Sequence, residues 1–185
     1  MDRIQHLAAV MASHHKRTVS GRVRLQKTVM LLQSCGLPTD YGFRLHFRGP
    51  YSEELQADMA LMEAYGLVEE RSDQLGRSYE YELLDDSFAY DLGRLKPAVD
   101  SIEQSDVASL ELAATYQAFR ELGEEHEAAL ESMRRKKARS WSKERESRAL
   151  DLLKVIGLLV SDCSPIASAS GRLPEPSASS TQSLR

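Results

Sequence analysis

The sequence predicts an α+β fold that is mostly α: a winged-helix-like unit with a small antiparallel sheet, then a C-terminal helical unit. Three observations carry this expectation. Apolar residues recur at helical spacing, as in Ile4, Leu7, Ala8 and Met11. Two stretches alternate aromatic and polar residues with the period of two that a half-buried strand requires. The element order up to residue 85 is helix, helix, strand, helix, hairpin. With 185 residues, 42% hydrophobic and 28% charged, the chain has a globular composition and enough length to bury a core without disulfides.

The first helix is expected over residues 3–15. Ser20-Gly21 opens the second, with Ser20 as its N-cap. Leu25, Val29 and Leu32 line the apolar face of that helix, and Arg24 and Lys27 fall away from it. Gly36 and Pro38 stop it. Residues 41–48 read as a strand with Tyr41, Phe43, Leu45 and Phe47 on the buried face and Arg44, His46 and Arg48 on the other. Gly49-Pro50 ends the strand. Ser52 caps a third helix over 52–65, with Glu53 and Glu54 in its positive first turn and Leu55, Met59 and Met62 inward. Gly49, Pro50, Tyr51 and Ser52 together read as a structural joint between strand and helix.

Residues 67–71 and 79–83 form a hairpin around a turn at 73–77. Helices at 107–122, 124–138 and 144–160 follow. The first of these places Leu112, Tyr116 and Phe119 on one face. The last is apolar nearly all round, through Leu152, Leu153, Val155, Ile156, Leu158, Leu159 and Val160. It needs cover on two sides, from the first helix or from a second copy of the chain. The organisation expected is a winged-helix-like unit at 1–85, a helical unit packed on it at 86–160, and a disordered tail at 161–185. The tail is rich in Ser and Pro and holds too little apolar surface to order itself.

Charge is segregated along the chain. Residues 1–50 carry eight Lys and Arg against two Asp and Glu, residues 51–132 carry five against 21, and residues 133–148 carry eight against two. Such a pattern describes a two-faced molecule, or basic and acidic blocks that pair within the fold. Only two cysteines are present, Cys35 and Cys163, and no apolar run reaches the ~20 residues of a membrane span. A soluble, cytoplasmic protein with no membrane partner is expected.

Catalytic chemistry finds little footing. His14 and His15 are adjacent and diverge on a helix, and no Cys-x-x-Cys, His-Glu-x-x-His or glycine-rich phosphate loop occurs. No cofactor or metal is expected, and an enzyme is the least favoured class. Two basic clusters are candidate binding residues. Arg22, Arg24, Lys27, Arg44 and Arg48 are expected to form one exposed surface for a protein partner or a phosphate backbone. Arg134, Arg135, Lys136, Lys137, Arg139 and Trp141 are candidates for nucleic-acid contact, with Trp141 able to stack on a base. The same cations also complement a helix C-terminus. The helix at 52–65 carries Glu53, Glu54, Asp58 and Glu63 and no Lys or Arg, so it is not expected to read a duplex.

The segment Gly21-Arg22-Val23-Arg24-Leu25-Gln26-Lys27-Thr28-Val29, followed by Phe43-Arg44-Leu45-His46-Phe47-Arg48-Gly49-Pro50-Tyr51-Ser52, resembles the YwgA family of uncharacterised bacterial and archaeal proteins. Residues 110–115 also resemble it. The pattern is more distantly similar to the Panacea (SocA-like) domain, where a Leu-x-Lys helix also precedes a strand ending in Gly-Pro. The resemblance implies a mostly helical fold with a small sheet and no established catalytic residues. Members of the Panacea domain include antitoxins. The function expected is therefore a non-catalytic regulatory or protein-interaction module, an antitoxin-like or sensor partner of a toxin or phage-defence effector. The alternative is a nucleic-acid-binding regulator that uses its basic surfaces.

Overall fold

The computed structural model describes residues 2–72, 79–87 and 89–159. Among them are helices α1 (Arg3–Ala12), α2 (Arg22–Ser34), α3 (Glu53–Ala64), α4 (Lys96–Gln104), α5 (Val107–Glu121), α6 (His126–Lys136) and α7 (Lys143–Val155). The strands are β1 (Thr18–Ser20), β2 (Arg44–His46), β3 (Gly49–Tyr51), β4 (Val68–Ser72) and β5 (Tyr79–Leu83). The fold is α+β and mostly α.

Residues Leu25 to Leu32 of α2 are all buried, so this helix is an axle rather than a surface helix. One side of α2 joins α1, α3 and the sheet β1-β5-β4 in a core that includes Leu7, Met11, Leu25, Val29, Leu55, Met59 and Tyr81. The other side joins the C-terminal helices in a core that includes Met30, Leu31, Val99, Leu112, Ala113, Met133 and Leu153. Helix α1 also serves both: Leu7, Ala8 and Met11 face the first, Ala9 and Val10 the second.

Several local expectations hold. The Ser52 hydroxyl accepts the Leu55 N–H at 3.2 Å, and Leu55, Met59 and Met62 point inward. Strands β4 and β5 pair antiparallel with Val68 opposite Leu83. Others are corrected. Helix α1 ends at Ala12 because the chain turns through a single 3-10 turn at His15–Arg17. Ser20 caps nothing: it belongs to β1, opposite Glu80, and Gly21 at φ +93° precedes α2. Helix α4 was not anticipated, although Pro97 near its start and Ala98, Val99 and Ile102 at helical spacing mark it.

Residues 41–48 are not one strand. The chain doubles back at Phe47-Arg48, and β2 pairs with β3 as Arg44 opposite Tyr51, Leu45 opposite Pro50 and His46 opposite Gly49. Gly49-Pro50 therefore starts a strand. Phe47 sits in the turn and is 81% exposed, not on a buried face.

The final helix is shorter than 144–160. Gly157 adopts φ +79°, and the N–H groups of Leu158 and Leu159 turn back to the Leu153 carbonyl at 2.8 and 3.1 Å. Leu158 and Leu159 thus fold onto the second core, while Val155 is 70% exposed. Cover for α7 comes mainly from α5 and α4. The expected turn at 73–77, Val160 and the expected tail at 161–185 lie outside the described residues.

The segment from Thr39 to Ser52 satisfies only part of its backbone in its own hairpin. Side chains of α2 supply most of the other partners, with Glu54 of α3 and Lys137 adding one each. The Gln33 amide donates to the Tyr41 carbonyl at 3.0 Å and accepts the Tyr41 N–H at 2.8 Å. One heptad earlier, Gln26 donates to the Ser52 carbonyl at 3.0 Å and accepts the Ser52 N–H at 2.8 Å. Each glutamine pairs both backbone groups of one residue, as a neighbouring strand would. Lys27 completes the clasp by donating to the Pro50 carbonyl at 2.7 Å.

Two substitutions grade this clasp. Ser52→Ala is expected to cost about 1 kcal/mol through the lost cap. Gln26→Ala is expected to cost more, roughly 2–3 kcal/mol, because it leaves the buried Ser52 N–H unpaired, whereas the Ser52 carbonyl keeps the Gln56 N–H at 3.3 Å. Urea unfolding of both variants checks the order; a Gln26→Ala protein as stable as Ser52→Ala contradicts it.

Candidate functional site

Strand β3 lies between α2 and α5. At its start, Gly49 holds φ +92°, and a Cβ there would lie 2.8 Å from the Thr115 hydroxyl and 3.4 Å from Cε of Lys27. Only glycine fits both the backbone and the space. Around it two lysines are buried. Lys27 is 2% exposed, and Lys137 is 4% exposed. Lys137 reaches from the end of α6 to the Glu111 carboxylate at 2.8 Å. Glu111 is the carboxylate that both ammonium groups face. Burial lowers the Lys27 ammonium to about 8, with Glu111 opposing the shift and Lys137 and Arg48 adding to it.

Two clefts open on either side of the Phe47-Arg48 turn. One, of about 380 Å³, is bounded by Arg22, Val23, Gln26 and Lys27 of α2 and by His46, Phe47, Arg48, Gly49 and Tyr51 of the hairpin. The other, of about 650 Å³, is bounded by Phe47, Arg48 and Glu111 and by Arg135, Lys136, Lys137, Ala138, Arg139 and Ser140. A third, of about 450 Å³, runs along Ser20 to Arg24 and shares Arg48 with both. The hairpin tip is therefore a wall common to all three, and Arg48 faces each of them. Size and concavity suit a small ligand or a segment of polymer.

The expected surface of Arg22, Arg24, Lys27, Arg44 and Arg48 is only partly realised. Lys27 is buried, because the side of α2 away from Leu25 and Val29 packs on β3 and α5 instead of facing water. Arg24 is turned inward as well. Its guanidinium donates to the carbonyls of Ile102, Glu103 and Ser105 at 3.0, 3.3 and 2.7 Å, capping the C-terminus of α4. Arg22 pairs with Glu70 at 2.6 Å and lies over the Tyr79 ring. Arg44 and Arg48 stay exposed on the hairpin.

The second cluster divides too. Arg134 forms a two-pronged pair with Glu146 at 2.7 and 2.5 Å, which holds the Glu146 carboxyl below its ordinary range. The Trp141 indole donates to the same carboxylate at 2.6 Å, so it ties α6 to α7. Lys137 is internal. Arg135, Lys136 and Arg139 are exposed and come to the hairpin side, beside Arg48. Arg44, Arg48, Arg135, Lys136 and Arg139 make no ion pair among the described residues. Gln26, Gln33, Thr115 and Glu111 were not singled out as positioning residues. The heptad spacing of the two glutamines was the available signal.

On α3, Asp58 accepts from the Tyr41 hydroxyl at 2.8 Å and pairs with Arg3 at 3.0 Å, while Glu54 accepts the Gly42 N–H at 3.1 Å. Among the described residues, no three His, Cys, Asp or Glu side chains gather as a metal site. No helix among the described residues is long and apolar enough to cross a membrane.

The buried charge has a pH signature. Folded Lys27 loses its proton from about pH 8, and the unfolded chain retains it to near 10.5. Between these values the unfolded state binds more protons, so stability rises with pH. The stability of wild type relative to Lys27→Met is expected to increase as pH is raised through this window, measured by chemical denaturation. A difference that does not change with pH contradicts a Lys27 ammonium lowered by burial.

No family model matches this chain. It is similar to the uncharacterized protein YwgA of Bacillus subtilis (strain 168), 29% identical over 115 residues that span 58% of this chain and 69% of that protein.

Proposed function

We propose that this chain is a non-catalytic regulatory module whose work is binding, and that its hairpin face takes a polyanion, nucleic acid in particular. The observation that carries the reading is the meeting of Arg48 with Arg135, Lys136 and Arg139 across the hairpin clefts, without described ion-pair partners. Cations from two distant segments converge where Phe47 stands exposed. Convergent Lys and Arg bind phosphates by releasing counterions. The acidic α3 lines none of the three clefts, so contacts from this face position a backbone rather than read a duplex groove. The winged-helix reading of residues 1–85 draws support from β1 pairing with β5 beside the β4–β5 hairpin.

A protein partner, such as the effector of an antitoxin-like pair, is a second reading with its own support. Helix α3 leaves Ala57, Ala60, Leu61, Ala64 and Tyr65 in solvent at successive helical-face positions, and Tyr65 is 73% exposed. An uncovered apolar stripe of this kind suits a partner helix. The two surfaces are compatible in one regulator.

The test is fluorescence anisotropy with a labelled single-stranded decamer at several salt concentrations. Arg48→Ala is expected to weaken binding and to reduce the slope of log K against log salt by about 0.7, the value of one phosphate contact on a single strand. Recovery of the native complex with a protein bound and binding of no strand by the pure chain would favour the second reading and overturn the first.

A further inference from the structure

The two clefts beside the Phe47-Arg48 turn differ in chemistry. The larger is edged by Arg48, Arg135, Lys136 and Arg139, with Glu111 already engaged by Lys137. The smaller is walled by Phe47, Tyr51, His46 and Val23, with the buried Lys27 at its floor. There the His46 and Tyr51 rings lie 5.3 Å apart on neighbouring strands. Phe47 belongs to both clefts. An aromatic slot thus opens next to a larger basic cleft, with the exposed Phe47 ring between them.

We infer that the smaller cleft is a nucleobase pocket: one base of a bound single strand enters between Phe47 and α2 while its flanking phosphates lie against Arg48, Arg135 and Lys136. This rests on the polyanion reading above and adds the class of ligand. Exposure of a large aromatic ring at a turn costs hydrophobic free energy that a stacked base recovers. Every base presents a π-face, so such a pocket tolerates sequence and requires an unpaired strand. Polar recognition is available at the floor. An ammonium has three donors, and Lys27 gives one to the Pro50 carbonyl among the described residues, so a ring-edge acceptor has a donor to meet. The pocket is prebuilt, because Gln26 and Lys27 hold the hairpin at fixed distance from α2.

The experiment compares a single-stranded decamer with an abasic decamer of the same backbone and charge, by anisotropy competition on the full chain. Wild type is expected to bind the base-bearing strand at least ~10-fold more tightly, the scale of base–aromatic stacking. Phe47→Ala is expected to abolish that difference and leave affinity for the abasic strand unchanged. Phe47→Tyr is expected to restore it. Phe47 contributes nothing to either core, so thermal unfolding of both variants should match wild type. Equal affinity of wild type for the two strands overturns the base pocket while the polyanion reading survives. Binding of neither strand overturns both.

Discussion

Burial of α2 on all sides is the constraint on which the structure depends. A helix with water on one face can point its polar residues outward. From Leu25 to Leu32 this helix has no such face, yet Gln26, Lys27 and Thr28 lie in the stretch. Most buried polar groups are paired. The partners of Gln26 and Lys27 are backbone groups of Ser52 and Pro50 at the end of the β2–β3 hairpin, while the Thr28 hydroxyl has none among the described residues. Each side answers the other's deficit: Ser52 and Pro50 satisfy Gln26 and Lys27, and Gln33 satisfies Tyr41. The Leu-x-Lys helix and the Gly-Pro-Tyr-Ser strand are therefore two halves of one joint.

The joint also sorts the charges. Arg3, Arg17 and Arg22 from the basic first segment pair with Asp58, Asp86 and Glu70 from the acidic middle, so that much of the segregation along the sequence is neutralised by folding. Lys27 and Lys137 are drawn inside against one carboxylate, Glu111. The cations of the hairpin tip and of the end of α6 are among those that stay outside without an ion pair among the described residues, and the clasp on α2 positions the hairpin tip. Surface cations held this way keep long-range influence at physiological salt over about 8 Å.

The sequence was most readable where a decision is local. The Ser52 cap, the inward face of α3, the β4–β5 hairpin and the ends of α5 and α6 follow from neighbouring residues alone. Lys27 was misplaced because periodicity identifies one apolar face and cannot tell whether a second surface will pack on the opposite side; here β3 and α5 do so from far along the chain. The aromatic alternation through Phe47 looked like one long strand because a two-residue turn keeps the same parity as an extended run. Arg24 seemed a surface cation, although its contacts are carbonyls about 80 residues away. Of the basic candidates, Arg44, Arg48, Arg135, Lys136 and Arg139 remain outward, and their convergence at one hairpin depends on tertiary packing that no single segment records.

The most direct measurement is amide hydrogen exchange of the full chain with and without a saturating single-stranded decamer. Slowed exchange is predicted at residues 22–27, 46–51 and 135–140, the three segments that edge the hairpin clefts, with α3 unchanged. Protection centred on residues 53–65, with the hairpin tip unaffected, would contradict the account.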